Sequence, residues 1–396
     1  MKRIISLTLL SLFLTGCFSS SSSSSNKATP LTEGSYAVQT VAADYGSSAV
    51  VTGNILGDRS IQQTILTSDK SDFTVSTYEN IIYHIGRYQS DTIERFDSSK
   101  SLETSEWIYS ANDDADASAN VFKVVQISDN KAYVIRYGSN NIWVINPIAN
   151  TQEAPVTARI DLSAYNNGQS VPHMSDAVYY NGKLFVIMQR LDAALDPTTS
   201  YIAVIDTTTD EEIDTSMGQT PLKGIPLDAD NANDSALHEG YLYVAGRGDF
   251  AESSGAVNKI NLDTYQVTKI ADKDTFTELN EPDNNRHVHI IDVAVVDNNN
   301  GYILVSVEDG YAFNPASHIY SFNPSTGEIG TELAATATNG ISISDITTDT
   351  NDRLWIAVTN ADDPKLLVYD TDTNTQSGDS IELELIPNKI EFLTVK

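Results

Sequence analysis

One phrase recurs along this chain about every fifty residues, and it constrains the fold more than any other feature. An apolar strand is followed by a loop, a second strand ending in Asp or Asn, and a polar turn. It reads Ile81-Ile82-Tyr83-His84 with Thr92-Ile93-Glu94-Arg95-Phe96-Asp97, then Ala132-Tyr133-Val134-Ile135 with Ile142-Trp143-Val144-Ile145-Asn146. It returns as Leu184-Phe185-Val186-Ile187 with Ile202-Ala203-Val204-Ile205-Asp206. Later copies open at Leu242, Tyr302 and Leu354, and a weaker one opens at Ser35-Tyr36-Ala37-Val38. Short β-branched and aromatic runs between Asn, Asp, Gly and Ser turns are an all-β pattern, and no long stretch carries the helical period.

A unit of this size is one small sheet that cannot bury both faces alone, so neighbouring units must stack. Four strands per unit, arranged radially to protect their edges, predict an all-β, seven-bladed β-propeller. In most copies an innermost strand precedes the phrase, as in Asp176-Ala177-Val178-Tyr179-Tyr180, but the first copy lacks one. The C-terminal run Lys389–Val395 is predicted to supply it and close the ring. Tyr133-Val134 with Gly138-Ser139-Asn140, and Ala357-Val358-Thr359-Asn360 with Tyr369-Asp370, resemble the YVTN-type repeats of a propeller group related to the quinoproteins. The resemblance implies fold more than function, because one fold hosts many sites.

Before the repeats, Lys2 and Arg3 precede a mostly apolar run, Ile4 to Leu14, that ends in Leu14-Thr15-Gly16-Cys17. This resembles the lipobox of bacterial lipoproteins. It implies a signal peptide over 1–16, lipidation of Cys17, a Ser-rich flexible linker over 17–34, and a propeller over 35–396. Phe18 in place of Asp implies an outer-membrane lipoprotein, on the periplasmic or the cell-surface face. The apolar run is too short for a spanning helix. Cys17 is the single cysteine, which excludes an intrachain disulfide and a Cys-based zinc site. A formal charge of −30 excludes nucleic acid as the main partner, because binding depends on neutralising phosphates. A monomer is expected.

Sorting loops by blade geometry puts the long insertions on the face where D–A and B–C connections open. Loops on a rigid scaffold are where function concentrates. Two sets map to that face. Asp72, Asp176, Asp234, Asp292 and Asp345, with Lys123, start the innermost strands around the channel mouth. Their ordinary use is a backbone hydrogen bond in the turn. Arg87, Arg136, Arg190 and Arg247 end the second strands. They are read either as salt bridges between blades or as a carboxylate or phosphate grip. Tyr88 and Tyr137 sit beside two of them, and Phe250, Tyr311 and Phe313 lie in expanded loops. His173 and His289 each stand three residues before a ring Asp.

No cofactor is required by these residues. Weak calcium sites stay open at loop acids such as Asp113-Asp114-Ala115-Asp116, although the run from Asp370 lacks the glycine of an EF loop. The leading expectation is a non-catalytic lipoprotein that binds a small-molecule ligand, such as a metal chelate, and passes it to an outer-membrane transporter. The alternatives are an enzyme at the channel mouth, with His173 or His289 as base and the Asp ring holding a cation, and an envelope assembly scaffold.

Overall fold

The computed structural model describes residues 34–100, 102–113, 117–149, 155–279, 286–309, 315–336 and 341–394. The lipobox, the serine run, Asp114–Asp116, Tyr311 and Phe313 lie outside the described residues. Seven antiparallel sheets form the chain, each with four strand positions. We number the blades along the chain and letter their strands A to D from the channel outward. Strand A is Phe73–Tyr78 in blade 2, Val121–Ser128 in blade 3 and Met174–Tyr180 in blade 4. It is Ala232–His238 in blade 5, Arg286–Val295 in blade 6 and Ile343–Thr348 in blade 7. The expected closure is present. Strand A of blade 1 is Ile386–Leu393, which pairs antiparallel with strand B, Ser35–Val41.

Second strands are buried almost throughout, as in Leu184, Phe185, Val186 and Ile187, because each is covered by a blade on either side. Outer strands are short or alternate in exposure; Thr92–Asp97 is followed by a fourth strand, Trp107–Ser110, whose residues are half-buried and exposed in turn. Blades 4 and 7 split their fourth strand into two-residue pieces. The A–B turns are tight: Asn181-Gly182 and Glu239-Gly240 have positive φ at both residues, the type I′ geometry that matches strand twist.

Blade 7 also locks to blade 1 away from the channel. Arg59 binds Ser377 through its backbone carbonyl and its Oγ, and Arg353 donates to the Ile55 carbonyl at 2.7 Å. Trp355 packs its ring 5.1 Å from Tyr36 and donates Nε1 to Asp349. Closure therefore rests on burial as well as on strand pairing. Ile390 of the closing strand is 1% exposed. Ile390→Ala is expected to cost about 2–5 kcal/mol, measured as a lower midpoint of chemical denaturation in one cooperative transition. An unchanged midpoint would show that the ring holds without this strand.

Candidate functional site

The channel is organised by one local irregularity. Along strand A of blades 3, 4, 5, 6, 7 and 1, the pairing with strand B slips by one residue at Phe122, Ser175, Asn233, Ile291, Ser344 and Asn388. Each slip is a β-bulge, which re-aims the following side chain. The residue that follows is Lys123, Asp176, Asp234, Asp292, Asp345 or Lys389. Blade 2 has no slip in its A–B pairing.

These paired residues stitch each blade to the next. Ser175 Oγ donates to the Ala232 carbonyl, Asn233 Nδ2 to Ile291 and Ser344 Oγ to Pro387. In return Asp176 accepts Ser235 Oγ at 2.6 Å, Asp292 accepts the Ile346 amide at 2.9 Å, and Asp345 accepts the Ile390 amide at 2.8 Å. Lys123 bonds Asp176 at 2.6 Å, and Lys389 bonds Asp345 at 2.7 Å and Asp234 at 3.2 Å. Thr77 of blade 2 bonds Glu391 and the Phe392 carbonyl of the closing strand, and Ser76 accepts the Val124 amide. The ring aspartates do accept backbone amides, but from the following residue or from the next blade, not in a D–A turn as expected. Asp72 is not in this ring. It lies before strand A of blade 2, half exposed, and accepts the Tyr88 amide.

Above the ring lies a cavity of about 280 Å³. Bulge residues Phe122, Ser175, Asn233, Ser344 and Asn388 line it together with Lys123, Asp176, Asp234, Asp345 and Lys389. Arg87 and Glu391 complete its charged lining. A second cavity of about 220 Å³ opens below, and Lys123, Asp234, Lys389 and Glu391 face both. The wall is polarised. Cations come from blades 1 to 3 and the aspartates from blades 4, 5 and 7.

Crowded acids in a narrow channel shift one another. Burial, then the charges of Asp234 and Asp345, pushes the Asp292 carboxyl well above the usual aspartate range. Burial also raises Asp234, against the pull of Lys389, and raises Glu391. For Lys389 burial opposes the charge, but Asp234 and Asp345 outweigh it and hold the ammonium well above its ordinary value. Oxygens of Asp234, Asp292 and Asp345 lie within 4.8 Å of one another, a donor set suited to a hard cation such as calcium. Lys389 supplies positive charge to two of the three.

The arginines do not form one grip. Arg136 is fully buried, stacks 4.2 Å from the Trp143 ring and donates to the Ala111 carbonyl and Ser139 Oγ. Arg190 stacks on Tyr201 and donates to the carbonyls of Tyr165 and Thr199. Arg247 pairs with Glu308 of the next blade and covers the Phe250 ring at 4.5 Å. Of these three, Arg247 makes the salt bridge to the next blade, Arg136 holds a loop carbonyl and pairs with Asp113 of the same loop, and Arg190 holds loop carbonyls. Arg87 alone of the four lines the cavity. Tyr137 stacks on Phe122 with ring centroids 4.5 Å apart, and Tyr88 stands exposed beside Arg87. His173 packs against Tyr137, and burial lowers its pKa. His289 is fully buried, does not line the cavity, and is likewise lowered by burial. The ring and the histidines are therefore separate features.

Lys389 and Glu391 escaped the sequence reading. The signal was available: once Lys389–Val395 is placed as an inner strand, Asn388-Lys389-Ile390 aligns with Asn233-Asp234-Ser235 and Ser344-Asp345-Ile346.

No protein-family profile matches the chain, and no curated protein does. Solved structures do match. The periplasmic gluconolactonase of Pseudomonas aeruginosa aligns with a TM-score of 0.60 at 10% identity, covering 91% of this chain and 100% of that one. A candidate 6-phosphogluconolactonase of Bacteroides uniformis aligns with a TM-score of 0.58 at 10% identity, over 91% and 99%. One from Bacteroides fragilis gives 0.57 at 11%, over 91% and 98%. At this identity the likeness establishes the propeller fold. It also corrects the expectation of a non-catalytic capture lipoprotein feeding a transporter, since the propellers named here are described by enzymatic activity. The physical ground is the set of buried carboxyls raised above their ordinary range in the channel, beside a small polar cavity, a recurrent mark of catalytic sites.

The raised Asp292 sets a pH dependence. Folded protein keeps this proton where the unfolded chain has lost it. The group's contribution to stability is full below the ordinary aspartate value, about 4, and is lost as pH rises through the higher folded value. Asp292→Asn removes this dependence and, by leaving one of two amide donors unmatched, adds a constant cost of about 1–3 kcal/mol. Thermal melts should show the native protein's advantage over Asp292→Asn to be larger at pH 5 than at pH 8. A gap that widens toward pH 8 would reverse the assignment.

Proposed function

We propose that this chain is a hydrolase of small sugar lactones that works at the channel mouth. The observation that carries the reading is Asp234. Its carboxylate faces the mouth cavity, is raised by burial, and is held by Lys389. The enzymatic names of the similar propellers support it and suggest the lactone class. A general base works best when its pKa lies near the operating pH, and burial moves Asp234 in that direction.

In the proposed reaction Asp234 takes a proton from a water as its oxygen adds to the lactone carbonyl carbon. The carbonyl electrons move onto oxygen beside the Lys389 ammonium, which uses two of its protons on Asp234 and Asp345 and has a third to donate. Collapse of the tetrahedral intermediate breaks the ring carbon–oxygen bond. The departing oxygen takes the proton back from Asp234, and one lactone and one water become one hydroxy acid. Asp234 is preferred over the histidines as base because it lines the cavity, whereas His289 is fully buried outside it and His173 packs on Tyr137.

The proposal includes a tether: lipidation at Cys17 places the domain on the outer membrane, facing the periplasm or the cell surface. Among the described residues no helix is long and apolar enough to cross a membrane. Kinship with the YVTN-type propellers is proposed at the level of the repeat motifs, and no step of the reaction uses it.

The test is hydrolysis of glucono-1,5-lactone and 6-phosphogluconolactone by the purified domain, followed by acid release. Turnover above the spontaneous rate is expected, rising with pH through a value above the ordinary aspartate range. Asp234→Asn should lower kcat/KM by about 10²–10⁴. Hydrolysis no faster than the uncatalysed rate would sink the proposal.

A further inference from the structure

The charges facing the mouth cavity are unequally occupied. Lys123 bonds Asp176 at 2.6 Å, and Lys389 bonds Asp345 and Asp234. Arg87 has only a loose partner among the described residues. Asp72 stands 3.6 Å from its Nε, with its own side chain half exposed, and that Nε is buried without a hydrogen bond.

The guanidinium is nevertheless held in place. It lies 4.0 Å from the centre of the Phe122 ring, and Phe122 lies nearly parallel to Tyr137, at 13°. Tyr137 is fixed in turn by a 2.8 Å bond from its hydroxyl to Gln189 and by contact with His173. Phe122 is itself a bulge residue, so the irregularity that aims Lys123 into the channel also brings this ring to the cavity wall. A planar, oriented guanidinium on an aromatic face, with donors to spare, is a ready anion receptor. The Ser175, Asn233 and Asn388 side chains suit the hydroxyls of a monosaccharide. Asn233 keeps a buried, unpartnered Oδ1 to accept from one.

We infer that Arg87 selects an anionic sugar at the mouth, taking its carboxylate or phosphate while the sugar hydroxyls meet the polar side chains of the cavity wall. This rests on the lactonase reading for its substrate class but not for its binding mode. Arg87 is then a specificity residue at the rim, distinct from Asp234 and Lys389 at the waist.

Titration calorimetry with glucose, gluconate and glucose 6-phosphate tests it without turnover. At least one of the two anions is expected to bind about 10- to 100-fold tighter than glucose, the range of a charge-assisted hydrogen bond. Which anion shows the advantage identifies the group recognised. Arg87→Gln should abolish the preference, and Arg87→Lys should restore part of it, which also guards against a misfolded Gln variant. Equal binding of all three sugars, no binding of any, or a preference that survives in Arg87→Gln would overturn the inference. Anion-selective binding with no lactone hydrolysis would remove the lactonase reading and keep this one. Where glucose 6-phosphate is the preferred anion, hydrolysis of neutral and phosphorylated lactones with equal kcat/KM would keep that reading and remove this one.

Discussion

A bulge of one extra residue on the innermost strand is what the rest of this propeller depends on. A regular strand shows alternate side chains to the channel. The bulge presents two in succession, and the pair divides its labour. Ser175, Asn233 and Ser344 donate forward to carbonyls of the next blade. Asp176, Asp292 and Asp345 accept from it. With the Thr77 bonds to the closing strand and Ser76 accepting the Val124 amide, every junction between neighbouring blades has a side-chain bond near the axis. The axis is where a propeller is narrowest and where its inner strands would otherwise meet only through side-chain packing. Most of these stitches also satisfy a backbone carbonyl or amide of the neighbouring inner strand.

The same device concentrates charge. Carboxylates brought to the axis to accept amides stand within a few ångströms of one another, as Asp234, Asp292 and Asp345 do. They cannot all ionise cheaply there. Two lysines reduce the repulsion, and burial, with the neighbouring carboxylates behind it, still leaves Asp234, Asp292 and Glu391 raised. A structural solution to blade packing thus leaves carboxyls that titrate above their ordinary range in the channel where the mouth cavity lies. Perturbed titration beside a cleft is a recurrent mark of functional sites.

The fold was largely legible. Its period, its blade count and its C-terminal closure are written in strand-length runs and turn residues, and those depend on local chemistry. Four of the five aspartate positions were legible for the same reason, since each stands at a fixed distance from the A–B turn; Asp72, ahead of strand A in blade 2, was misplaced. The bulges were not legible. An inserted residue breaks the period of two, and Ser, Asn, Phe and Ile all fill it, so no single residue type marks it. Lys389 and Glu391 were obscured because blade 1 takes its inner strand from the far end of the chain. The arginines illustrate the opposite failure. They stand near the ends of the second strands but not in one register, since Arg136 ends its strand while Arg87 and Arg247 follow theirs by one residue and Arg190 by two, and position does not give direction. Arg136 and Arg190 turn away from the channel to stack on Trp143 and Tyr201 and hold loop carbonyls.

That difference in direction separates scaffold from site. Arg87 stands, like Arg136 and Arg190, near the end of a second strand, yet its stacking partner belongs to the next blade and not to the third strand of its own. Phe122 reaches it because a bulge sets that ring at the channel wall. A guanidinium that stacks within its own blade is consumed in holding loops. One that stacks across a junction is pinned at the cavity rim with hydrogen-bonding capacity left over. Blade 2 is also the blade whose inner strand has no bulge, so it sets no charged residue at the ring and leaves that part of the wall to Thr74 and Val75. The one break in the sevenfold pattern therefore lies below Arg87, and it makes the blade 2 side of the channel the place where an otherwise repeating wall becomes asymmetric enough to orient a small polar molecule.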